Sequence, residues 1–204
     1  MGTRGSALAL AQARAVAEAL EGEVRLVPIK TAGDRGRSQI DDKSRFVREI
    51  DDALLAGDVD IAVHSAKDVP GELARGLGIV AVPVAEDPAD ALIGSGTLDA
   101  LEQGASVGTS SLRRRSQLLA IRPDLAVRDL RGNVDTRLGK LAAGEYDAIV
   151  LALAGLRRLG RGNEADAVLE PRRFVPAPGQ GLLALETRVG DARALAAVEA
   201  LDHE

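Results

Sequence analysis

Three arginines stand where a helix should begin. Val107-Gly-Thr-Ser-Ser-Leu-Arg-Arg-Arg115 joins a short apolar run to a helical pattern. Gly108 permits close backbone approach. Thr109, Ser110 and Ser111 can each cap the helix, leaving N–H groups outward at the positive end of its dipole. Arg113, Arg114 and Arg115 follow near the first turn, where the dipole disfavours cations. A capped helix with solvated arginines is the plainer account. A bound anion explains the placement better, because guanidinium forks grip carboxylate or phosphate bidentately. Asp129-Leu-Arg-Gly-Asn-Val-Asp-Thr-Arg137 repeats the logic, with Arg131 at a strand end and Arg137 on the helix after a Gly-Asn turn. Gly132, Gly139 and Lys140 miss the phosphate-loop pattern: six residues separate the glycines and Leu141 replaces the magnesium-binding Ser or Thr, so nucleotide is not expected there.

Asp60-Ile-Ala-Val-His-Ser-Ala-Lys-Asp-Val-Pro70 reads as a strand with a polar carboxyl end, where Ser65, Lys67 and Asp68 project. A neighbouring Lys and Asp can hold an anionic substrate and manage a proton or a cationic intermediate. The alternative is a surface ion pair worth little. His64 alone suits a packed core position, His203 is at the tail, and cysteine is absent, so no metal site is expected. Pro176-Ala-Pro-Gly-Gln-Gly-Leu-Leu-Ala-Leu185 is a stiff turn entering a strand. Gln180 either faces a cleft or belongs to a purely structural turn.

These residues need elements to position them. Apolar runs at 24–29, 61–63, 79–84, 105–107, 125–127 and 148–152 predict strands. Helical patterns cover 7–20, 46–55, 112–121, 133–143 and 191–201. Their alternation predicts an α/β fold with mostly parallel sheets covered on both faces, and such sheets bind ligands at the carboxyl ends of their strands. No internal repeat is evident.

Composition narrows the function. The 204 residues allow one large domain or two small ones, and 46% hydrophobic with 28% charged residues excludes wholesale disorder. A net charge of -5 opposes a uniformly basic nucleic-acid binder, and three aromatics (Phe46, Tyr146, Phe174) are too few for a base-stacking platform. Nucleic acid is therefore not an expected partner. Residues 105–160 nonetheless hold ten Lys/Arg against five Asp/Glu, either a local anion site or scattered solvated arginines. No apolar run approaches the ~20 residues that span a bilayer, and the run at 7–11 is too short for a signal peptide, so a cytoplasmic, membrane-free protein is expected. Without cysteine, this sequence forms no disulfide and offers no thiol nucleophile.

Six segments together resemble the hydroxymethylbilane synthase family, also called porphobilinogen deaminases. They are Thr3-Arg-Gly-Ser-Ala-Leu-Ala-Leu-Ala-Gln12, the 60–70 and 107–114 segments above, Leu130-Arg-Gly-Asn-Val-Asp-Thr-Arg137, Tyr146-Asp-Ala-Ile-Val-Leu-Ala-Leu-Ala-Gly-Leu-Arg-Arg-Leu159 and Pro176-Ala-Pro-Gly-Gln-Gly181, in family order. The resemblance implies head-to-tail condensation of porphobilinogen, with release of ammonia, to a linear tetrapyrrole. It also implies a type II periplasmic-binding-protein-like architecture of two hinge-linked domains with mixed, mostly parallel sheets around a central cleft. Domain 1 would be 1–84 plus 181–204 and domain 2 would be 88–177. The growing chain accumulates carboxylates, which a row of arginines suits.

By this resemblance Arg4, Ser6, Lys67, Arg113, Arg114, Arg131, Arg137 and Arg158 would hold carboxylates. Thr109 and Ser111 would add hydroxyl and backbone contacts, with Ser110, Ser65, Gln12 and Gln180 in the same site. Asp68 would be the catalytic carboxylate, stabilising a cationic azafulvene-like intermediate and moving pyrrole protons. Lys43 matches a lysine on a mobile loop near the cleft. Two departures are expected to matter. The family carries a dipyrromethane cofactor through a thioether to a cysteine in a third domain, whereas this sequence has no cysteine and ends about where that domain would begin. The expectation is therefore no covalently bound cofactor, a monomer with impaired activity alone, and a third domain that is missing or a separate partner. The first strand also looks clipped, which would leave a sheet edge or apolar surface uncovered. The competing expectation is a non-catalytic receptor for a polycarboxylate small molecule.

Overall fold

The computed structural model describes residues 1–31, 47–94 and 96–203. The chain divides into two units, Met1–Glu86 with Leu182–Glu204, and Asp87–Gly181. Unit 1 contains β1 (Gly2–Arg4), α1 (Ala7–Ala19), β2 (Val27–Ile29), α2 (Arg48–Ala56), β3 (Ala62–Ser65) and β4 (Leu77–Ala81). Unit 2 contains β5 (Asp90–Ile93), β6 (Ser106–Gly108), α3 (Leu112–Ile121), β7 (Ala126–Arg128), α4 (Val134–Ala142), β8 (Ala148–Ala152), α5 (Leu153–Arg158) and β9 (Ala167–Leu169). The chain then returns to unit 1 as β10 (Leu183–Arg188) and α6 (Ala192–Val198).

Each unit is built on a five-stranded mixed sheet, in the orders β2-β1-β3-β10-β4 and β7-β6-β8-β5-β9. In unit 1, β1 runs parallel to β2 and β3, while β10 is antiparallel to β3 and β4. In unit 2, β6 runs parallel to β7 and β8, while β5 is antiparallel to β8 and β9. One pattern is thus built twice, a repeat of topology that the amino-acid sequence does not display. The three residues Gly2–Arg4 form β1, which lies inside its sheet between β2 and β3.

Strand alternation decides which side chains meet which helix. In unit 1, Val63, Leu183 and Leu185 point to one face and pack with Ala13, Val16 and Val198. Ala62 and Leu77 cover the other face with Ile50 and Leu54 of α2. His64 and Glu186 fall two residues from Ala62 and Ala184 and so share the α2 side. Unit 2 likewise has a core under Leu118 of α3 and another under Leu138 of α4 and Leu156 of α5. Burying both faces explains why the strands read as continuous apolar runs.

Candidate functional site

The carboxyl ends of the parallel strands gather the site residues of unit 1. Arg4 ends β1, and Ser6 caps α1 by accepting a hydrogen bond from Ala9 N at 3.3 Å. β3 runs into a short 3₁₀ turn, Ala66–Asp68, which puts Lys67 and Asp68 at the same edge. Gln12 reaches from α1 to Ser65, donating from Nε2 to Oγ at 3.0 Å. Arg4, Ser6, Gln12, Ser65 and Asp68 line one hollow of about 70 Å³ together with Val47, Val63 and His64. A guanidinium, a helix N-terminus and a carboxylate therefore converge on one small space, able to grip an anion beside a cation. Lys67 is half-buried in the adjoining turn, and Lys43 lies outside the described residues.

In unit 2 the loops after β6 and β7 meet. Ser110 Oγ donates to Leu130 O at 2.9 Å. Thr109 Oγ1 accepts from Ser111 N at 3.2 Å, and Ser111 Oγ caps α3 by accepting from Arg114 N at 3.4 Å. Gly108 allows this close packing: a Cβ there would stand 2.9 Å from Tyr146 and 3.0 Å from Ile149 and Leu130. Arg131 is exposed, 3.7 Å from Asp129 Oδ2. Asn133 caps α4, Arg137 Nε donates to Gly132 O at 2.7 Å, and Gly132 takes φ +118° in the turn. Arg158 Nη2 donates to Gly181 O at 2.6 Å.

Arg113 and Arg114 turn inward, toward an anion that sequence reasoning missed. Asp90, at the start of β5, is fully buried. Its Oδ1 accepts from Arg114 Nε at 3.1 Å and Nη2 at 2.7 Å, and its Oδ2 accepts from Arg113 Nη2 at 2.7 Å. Arg114 Nη1 donates to Val150 O at 3.0 Å, and Arg113 Nη1 to Val175 O. Burial alone would raise the Asp90 carboxyl, but the Arg114 and Arg113 guanidiniums outweigh it and hold it below the usual carboxylate range. Gln180 is buried and donates to Pro88 O at 2.7 Å and Asp90 Oδ1 at 2.9 Å. The cations disfavoured by the α3 dipole are thus balanced partly from within, and two guanidiniums against one carboxylate leave a net positive charge. A Pro-flanked strand beginning with a buried charge (Pro88-Ala-Asp90) was the available signal.

Two units of five-stranded mixed sheet with a shared strand order define the type II periplasmic-binding-protein-like class. A periplasmic substrate-binding protein of an ABC transporter from Coxiella burnetii matches at TM-score 0.58 and 14% identity, over 98% of this chain and 90% of that one. The BvgS VFT2 domain of Bordetella pertussis matches at TM-score 0.50 and 15% identity, over 95% of this chain and 77% of the other. Those likenesses establish the fold.

The family model for the dipyromethane cofactor binding domain of porphobilinogen deaminase matches residues 1–196, and the chain belongs to that family. It is 55% identical to the porphobilinogen deaminase of Thermus thermophilus over 100% of this chain and 69% of that protein. The Phenylobacterium zucineum and Deinococcus radiodurans proteins of the same name are 50% and 51% identical, each over 94% of this chain and 66% of the relative. The chain thus spans about two thirds of the length of these relatives. The donors present suit the carboxylate arms of a dipyrromethane: Arg131 is exposed, and Ser110 and Ser111 lie at the α3 N-terminus. A thioether anchor has no attachment residue in this sequence, which contains no cysteine.

Proposed function

We propose that this chain provides the substrate- and cofactor-binding part of a hydroxymethylbilane synthase, which condenses porphobilinogen head to tail and releases ammonia. The observation that carries the reading is the hollow of unit 1, where Asp68 shares a wall with Arg4 and Ser6. Arg4 and Ser6 bind the acetate or propionate arm of the pyrrole and orient it, and Lys67 contributes positive charge at the same edge. Arg131, Arg137 and Arg158 hold further carboxylates, with Thr109, Ser110 and Ser111 adding hydroxyl and backbone donors. Loss of ammonia from the aminomethyl carbon leaves a cationic azafulvene. The Asp68 carboxylate stabilises that cation. The α-carbon of the next pyrrole attacks, a carbon–carbon bond forms, and Asp68 accepts the ring proton displaced there. A dipyrromethane, when bound, supplies the pyrrole to which the chain is joined. Arg131, Ser110 and Ser111 hold its carboxylates, while Arg113 and Arg114 contribute the net charge left over from Asp90. We further place the protein in the cytoplasm, as a monomer working with a third domain.

The test is to incubate the purified chain with porphobilinogen, follow its disappearance colorimetrically and weigh the protein intact. The expected result is porphobilinogen binding that Arg4→Ala weakens at least tenfold, an unmodified protein mass and little turnover. Rapid conversion to a linear tetrapyrrole would overturn the part assigned to a thiol-anchored cofactor. Binding that neither Arg4→Ala nor Asp68→Asn alters would overturn the site assignment itself.

A further inference from the structure

The faces of β3 and β10 that look toward α2 carry two side chains the chemistry above does not use. His64 and Glu186 are almost fully buried, and His64 Nε2 lies 3.0 Å from Glu186 Oε2. Asp51, from the first turns of α2, completes the group: one polar atom from each of the three lies within 4.8 Å of the others. Asp51 is 9% exposed and Glu186 2%. Among the described residues, the basic side chain set against these carboxyl groups is His64, on Glu186. Asp51 Oδ1 and Glu186 Oε1 are buried with no hydrogen-bond partner of the ordinary donor–acceptor kind. One oxygen of each carboxyl group lies within 4.8 Å of the other and of a His64 ring nitrogen. Two ionised carboxylates are acceptors only and repel each other when buried this close, so a proton on one of them relieves both.

We infer that Asp51 and Glu186 hold one proton between them in mildly acidic solution, forming with His64 a buried protonation site behind the Asp68 hollow. Burial is the main cause and the negative charge of Glu186 the next. His64 opposes them and Asp52 adds to them, and together they push the Asp51 carboxyl up to about 7. α2 contributes two further acids, Glu49 and Asp52, and one cation, the exposed Arg48. β4 (Leu77–Ala81) has no titratable side chain. Arg188 of β10 is engaged with Leu54 O, Val59 O, Asp60 and Asp191. Arg4 of β1 lines the hollow. A divalent cation takes the same donor types and is the rival occupant that the experiment below separates from a proton. His64 lines the hollow, so proton occupancy changes the charge directly behind that wall: one negative charge less when the proton is bound. The inference rests on the geometry of unit 1 and does not depend on the reaction proposed above.

The experiment follows the wild type, Asp51→Asn and Glu186→Gln, with EDTA present, by denaturant unfolding from pH 4 to pH 8 and by infrared spectroscopy of the carboxyl C=O stretch. The folded-state value near 7 exceeds the unfolded value of about 3.9, so the native state binds the extra proton. This stabilisation is fully present below the unfolded value and is lost as pH rises through about 7. The folding equilibrium should shift by up to about tenfold per pH unit from this group. Asp51→Asn and Glu186→Gln are each expected to remove that slope. A protonated-carboxyl band present in the wild type at pH 6 should disappear in Asp51→Asn. An unchanged slope and band in both variants would overturn the inference. So would a wild type with no protonated-carboxyl band at pH 6, a result independent of whether either variant folds. A melting-temperature rise with zinc or manganese at pH 8 that both variants abolish would replace the proton with a metal.

Discussion

Asp90 is a single carboxylate on which two guanidiniums and an amide depend. Removing it leaves Arg114, 6% exposed, with a buried charge and lost partners. Breaking a buried pair from one side costs about 3–5 kcal/mol, more than an isosteric replacement of the whole group would cost. Asp90→Ala is therefore expected to destabilise the protein by that amount in urea titration, and Gln180→Ala by only about 1 kcal/mol, the worth of an ordinary hydrogen bond. The pH dependence has a definite sign. The folded-state pKa of Asp90 is depressed, so its contribution is present above the unfolded value and lost as pH falls through the folded one. Asp90→Asn should flatten the acid limb of the stability profile below about pH 4, the ordinary range of an unfolded Asp. An acid limb identical to the wild type would show that the guanidiniums do not hold the charge. This slope is opposite to the one assigned to Asp51, so the two variants separate the groups.

At the scale of elements, the turn from β6 into α3 tests how close packing shapes the arginine edge. A Cβ on Gly108 would press on Tyr146, Ile149 and Leu130 at once, and overpacking of this kind costs about 1–3 kcal/mol. Gly108→Ala should fall in that range, whereas Ser111→Ala should lose about 1 kcal/mol, the worth of a helix cap. If Gly108→Ala were neutral, the three neighbours would have to yield together. The elements themselves were unevenly legible. β3 and β8 announce themselves as apolar runs because both of their faces are buried, and Val107 and Val127 with their apolar neighbours mark β6 and β7. β1 reads Gly-Thr-Arg, with no apolar run to mark it, and β9 is a three-residue run between Asp166 and Glu170. β5 begins with a buried Asp, which reads as polar until Arg114 is seen beside it. α5 follows β8 without a capping side chain, so one apolar run from Ala148 hides the change of period. Arg4, Ser6 and Asp68 were found because each lies in a local motif. Asp51, His64 and Glu186 come from three distant elements, and the register of β3 against β10 and the packing of α2 on that face bring them together.

The whole molecule adds an asymmetry between its two units. Unit 2 is a continuous segment, Asp87–Gly181, and its sheet is complete from its own strands. Unit 1 is discontinuous, because β10 returns from the far end of the chain to fill the place between β3 and β4. Leu183 and Leu185 on β10 belong to its core, and Thr187 Oγ1 donates to Asp60 O at 2.7 Å. Without β10, β3 and β4 have no strand between them, and the unpaired ladder edges cannot close across the gap. His64 loses Glu186 at the same stroke. Residues 87–181 expressed alone are therefore expected to unfold cooperatively, with dispersed NMR signals. Residues 1–86 alone are expected to remain unfolded or to aggregate, and to recover a cooperative transition when 182–204 is joined on through a short linker. A well-folded 1–86 fragment would mean that β4 can pair directly with β3, which would remove the structural reason for the chain to come back.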